Sequence, residues 1–82
     1  MVRRAAVAGQ FYSSSKSALI KELEQCFLSP LGPGKLPKAV RDGPRRMAGA
    51  MVPHAGLVFS GPVAAHVYAE MAADGMPETV VM

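Results

Sequence analysis

The chain has 82 residues, enough for one small domain with a marginal core. Half of its residues are hydrophobic, but thirteen residues are Ala and only five are aromatic, so each buried side chain contributes little area. A single cysteine excludes an internal disulfide and leans toward the cytoplasm, and no apolar run approaches the ~18 residues of a membrane span.

Arg3 and Arg4 are followed by no long apolar stretch, so no secretory signal is visible. Arg4 to Tyr12 reads as an extended opening segment in which Gly9 supplies a turn or a close backbone approach. Ser13, Ser14 and Ser15 then offer helix caps, although none has Glu or Gln three residues on. Leu19, Ile20, Leu23, Cys26 and Phe27 fall on one helical face, with Lys16, Lys21, Glu22 and Glu24 off it. The spacing predicts a helix over Lys16–Leu28, ended by Ser29-Pro30.

Residues 30–46 read as a surface loop rich in Pro and Gly, far longer than the ~4–6 residues of a compact connection. It has room for mobility and is not a domain boundary. Its charges, Lys35, Lys38, Arg41, Arg45 and Arg46, are opposed only by Asp42. No aromatic side chain interleaves them, and no helix or strand presents them to a groove. No nucleic-acid role is expected.

Met47 to Val52 is an apolar run stopped by Pro53, as in a buried strand. Gly56 to Ser60 makes a turn, and Gly61-Pro62 opens a second helix. Val63, Ala64, Val67, Tyr68 and Met71 give that helix its buried face, and Asp74-Gly75 ends it near Ala73. Thr79 to Met82 reads as the next strand. The switch from apolar run to helical period and back implies a right-handed βαβ unit with parallel strands. The chain stops within that last strand, so the expectation is the N-terminal part of a larger α/β domain. On its own, an Ala-rich chain with so long a loop is expected to be molten or to aggregate.

Three catalytic patterns fail. Gly56 to Gly61 has the glycine spacing of a phosphate loop but is followed by Pro62-Val63 in place of Lys and Ser/Thr. Ser60 lacks the glycines of a nucleophile elbow. Cys26 lies on the apolar helical face with no histidine nearby in sequence and reads as structural. His66, four residues before Glu70, reads as half of a solvent-facing pair. His54 differs, because it follows the apolar run at a strand end, where α/β proteins place ligands, and Gly56 lets the chain turn away. Its imidazole suits a borderline metal or general-base work. Equally, it suits a loop histidine bonded to backbone.

The segment Arg3 to Tyr12, the pieces Val52-Pro53-His54-Ala55-Gly56 and Ser60-Gly61-Pro62-Val63-Ala64-Ala65-His66-Val67-Tyr68, and their order resemble the start of Memo-like proteins. These include the prokaryotic AmmeMemoRadiSam system protein B. The resemblance covers the chain except the 30–46 loop. It implies an α/β fold related to class III extradiol dioxygenases, with a strand-end pocket of two histidines and a cysteine. His54 matches the first histidine and would be a metal ligand, with Ala55, Gly56 and Ser60 lining the pocket. The second histidine would follow Met82, and Cys26 does not match the cysteine. Leu57 stands where the family usually has an aromatic residue. The implied cofactor is iron or copper in the complete protein, with none held tightly by this chain alone. The implied partners are the remainder of its own chain and a radical-SAM protein. Two functions stay open, a metal-dependent redox or dioxygenase-like protein and a non-catalytic peptide- or anion-binding module. No catalytic residue is assigned.

Overall fold

In a computed structural model that describes residues 2–82, the elements are α1 (Lys16–Leu28) and α2 (Leu57–Asp74), packed against each other. Helix α1 has the bounds its apolar spacing predicts. Ser15 is its N-cap residue but makes no side-chain cap bond, its hydroxyl lying beside that of Ser17 instead. Ser29 N–H closes the other end on the Gln25 carbonyl at 2.9 Å.

The helices meet through small residues. Cys26, Gly61, Ala64, Ala65 and Ala72 are buried, and no large side chain is fully so. Gly61 faces Cys26 directly, and a Cβ at Gly61 would overlap the Cys26 Sγ. Close approach therefore replaces side-chain volume as the source of contact. The predicted face of α2 is shifted toward the alanines. Ala64 is on it, but Val63 and Tyr68 remain about half exposed.

Helix α2 begins at Leu57, earlier than the Gly61-Pro62 start the sequence suggests. Proline removes one helical donor, and at Pro62 the partner lost is the Val58 carbonyl. Val58 stands on the open side, 84% exposed, where water can serve that carbonyl. One lost bond does not outweigh a first turn closed by Phe59 and Ser60 N–H donating to the Gly56 carbonyl. Gly56 to Ser60 is thus mostly helix, not turn.

Neither Met47–Val52 nor Thr79–Met82 joins a ladder. Among the described residues the one β-type pairing is an isolated bridge between Ala8 and Tyr12. A continuous apolar strand needs both faces covered and neighbours on its edges. Here Met51, Val81 and Met82 are almost wholly exposed.

The 30–46 loop lies on the surface as expected but is fastened rather than loose. Its start is held by Gly34 N–H donating to the Phe27 carbonyl at 2.8 Å. Val40 N–H donates to the Ala72 carbonyl at 2.8 Å, and Arg45 N–H to the Asp74 carbonyl. These loop amides satisfy carbonyls at the end of α2 that no helical donor reaches.

Candidate functional site

The segment before α2 carries His54, Ala55 and Gly56, and its shape follows from two backbone contacts. Residues 7–12 form a tight turn in which Gln10 and Phe11 N–H both donate to the Val7 carbonyl at 3.0 Å. Gly9 takes the left-handed φ of +86°, which a side chain would resist. The turn aims the Phe11 carbonyl at the start of α2, where it accepts from Leu57 N–H at 2.8 Å. One orphan donor of the helix is thereby satisfied. Gly56 passes so close that a Cβ there would sit 3.2 Å from the Phe11 oxygen. From within the helix, Ser60 Oγ donates to the Ala55 carbonyl at 2.9 Å.

The His54–Gly56 bend is therefore clamped from both sides. The His54 side chain is exposed, and its ring forms no hydrogen bond among the described residues. Ser60 serves as a brace, its hydroxyl committed to Ala55. A cleft of about 150 Å³ opens beside the bend, lined by residues 9–13, Glu22 and Val58. Its polar wall is Ser13, whose Oγ donates to Glu22 Oε2 at 2.6 Å. His54 lies outside that lining.

Cys26, His66 and Asp74 have structural roles. Cys26 is buried, and burial first, then the nearby Glu22 carboxylate, push its thiol above the ordinary range. It is a poor nucleophile, as its place on the apolar face suggests. His66 is exposed, as the sequence reading has it, but its partner is a carbonyl rather than Glu70. Its Nε2 lies 3.0 Å from the Leu31 carbonyl, so Nε2 carries the proton and ties the start of the loop to α2. The His66–Glu70 spacing alone could not reveal a partner thirty-five positions away.

Asp74 was not singled out by the sequence. Its two carboxylate oxygens accept from Arg46 and Met47 N–H, each at 2.9 Å. Those amides, Met47 first and then Arg46, hold its carboxyl below the usual range. A lone Asp before Gly reads as a helix end, and nothing local distinguishes it as an acceptor for a distant segment.

The sequence profile of the Memo-like protein family matches residues 3–82. The chain belongs to that family. A MEMO1 family protein of Methanopyrus kandleri, MK0963, is 54% identical over the whole of this chain, which covers 29% of that protein. The MEMO1 family protein MTH_45 of Methanothermobacter thermautotrophicus is 50% identical over the same extent, again 29% of its length. One from Sulfurisphaera tokodaii is 47% identical. The Memo-like chain thus spans under a third of the curated relatives it matches. No solved structure matches it. No helix among the described residues is long and apolar enough to cross a membrane.

Proposed function

We propose that this Memo-like chain supplies the first ligand of a metal-dependent redox or dioxygenase-like centre in a longer protein, through His54. The observation that supports this is the clamped bend. Leu57 N–H on Phe11 and Ser60 Oγ on Ala55 fix the backbone around His54 while leaving its imidazole exposed and without a partner among the described residues. A ligand held on a rigid turn binds with less ordering cost than one on a loose loop.

The chain does not hold a complete metal site. Among the described residues no three of His, Cys, Asp and Glu converge, and a tight site needs three or four protein ligands. No catalytic step is derived from it. On this reading the other ligands come from the remainder of the protein, which also completes an α/β, extradiol-dioxygenase-like sheet over Met47–Val52 and Thr79–Met82. Iron or copper is the metal proposed, a radical-SAM protein a proposed partner, and the cytoplasm the proposed compartment.

The test is metal content of the complete protein by elemental analysis, wild type against His54→Ala. The reading expects a clear fall in bound metal with the fold retained by circular dichroism. Unchanged stoichiometry and affinity would remove His54 from the site and favour a crevice that binds a peptide or anion without metal.

A further inference from the structure

The bonds at the end of α2 carry a consequence for the segment that leads to His54. Helix α2 runs from Leu57 to Asp74 and is ~26 Å long from first to last Cα, at 1.5 Å per residue. The chain is fastened at the far end of that helix, by Arg46 and Met47 N–H on the Asp74 carboxylate. It must return to the near end by Leu57. Fully extended, the stretch from Met47 to Leu57 reaches ~33–36 Å. The length of α2 is thus about three-quarters of what those ten extended residues can reach. The backbone from Met47 to His54 contains neither helix, turn nor ladder.

We propose that Asp74 is a latch that draws Met47–Gly56 taut along α2, so that the segment is held strand-like and His54 is placed at its end before any β partner pairs with it. The contact is built rather than incidental. Two successive amides meet two oxygens of one carboxylate, and Arg45 N–H takes the Asp74 main-chain carbonyl as well. Arg45 adopts a left-handed φ of 52°, uncommon outside glycine, as the loop turns onto the helix end. Gly43 and Gly75 allow the two backbones to touch, since a Cβ at Gly75 would lie 3.1 Å from the Gly43 Cα. An acidic side chain is otherwise unfavourable at the negative end of a helix, so the amides account for its presence there. The charged neighbours from the loop are Arg46, which lowers the carboxyl further, and Arg45, whose guanidinium donates to the Arg41 carbonyl. The latch does not depend on the metal reading and can fail or stand without it.

The test is amide NMR and hydrogen exchange on the complete protein, in wild type, Asp74→Asn and Asp74→Ala. In wild type, the Arg46 and Met47 amide protons are expected to shift together on acidification, with one midpoint below the usual aspartate range. That shared titration is lost in Asp74→Asn. In Asp74→Ala, exchange at the Arg46 and Met47 amides, the two that Asp74 holds, is expected to rise at least tenfold while that of α1 stays unchanged. Independent or absent titration of the two amides overturns the latch, as does wild-type exchange at Arg46 and Met47 in Asp74→Ala. If Asp74→Ala does not fold, the wild-type titration and Asp74→Asn decide alone.

Discussion

The two ends of α2 solve the same problem with different materials. At the start, a helix donor is taken by the Phe11 carbonyl and the preceding bend is braced by Ser60, a residue five positions from its partner. At the finish, the Ala72 and Asp74 carbonyls and the Asp74 carboxylate are met by backbone amides of a loop twenty-seven to thirty-two positions away. The first end presents a motif of recognisable side chains. The second is made almost entirely of main chain. One helix therefore positions both ends of a single segment, and the residues that hold its far end carry no chemical signature.

The largest effect expected concerns the helix crossing that both ends depend on. In the complete protein, Gly61→Ala is expected to cost roughly 1–3 kcal/mol in chemical denaturation, because the new methyl meets the Cys26 sulfur. Combined with Cys26→Ala, most of that cost should disappear, since the Cys26 Cβ would be 3.5 Å from the added carbon. A cost that persists in the double variant would move the close approach elsewhere.

Next is the finish of α2. Gly75 has φ +122° and a Cβ there would lie 2.8 Å from the Arg45 Cγ, so Gly75→Ala is expected to cost about 1–3 kcal/mol through backbone strain and that contact together. The same substitution at Gly49, whose Cβ would meet nothing within 4 Å, should be close to neutral. Equal effects at the two glycines would mean that the loop is not seated on the helix end.

The helix pair was largely legible in the sequence. Leu19, Leu23, Cys26 and Phe27 set the period of α1, and Ser29-Pro30 set its end. The start of α2 was not, because Gly61-Pro62 is a strong local start signal and the first turn is stabilised by Phe11, far away in sequence. The bend at His54 was visible as Pro-His-Ala-Gly, but Ser60 was read as pocket lining, and its brace on the Ala55 carbonyl was not visible. The two apolar runs read as strands because their composition is that of strands. Extended backbone becomes sheet only with partners, and partners are a property of the whole fold. Asp74 and His66 were misread or missed since their acceptors and donors are peptide groups, which every residue carries.

The pH response of Asp74 separates the two ends further. Its carboxyl is lowered by the Met47 and Arg46 amides, so its contribution is fully present above the ordinary aspartate range. That contribution is lost as pH falls through the lowered value. Acid should therefore loosen the finish of α2 as pH falls through that lowered value, and Asp74→Asn should flatten that part of the stability profile. The smallest effect is expected at the start, where Ser60→Ala removes one hydrogen bond, worth about 0.5–1.5 kcal/mol.

The proposal for His54 is tested most directly by anomalous diffraction from crystals of the complete protein. A metal peak is expected about 2 Å from an imidazole nitrogen of His54, with further protein ligands completing the site. A metal bound elsewhere, with His54 facing solvent or a peptide-sized crevice, would contradict it.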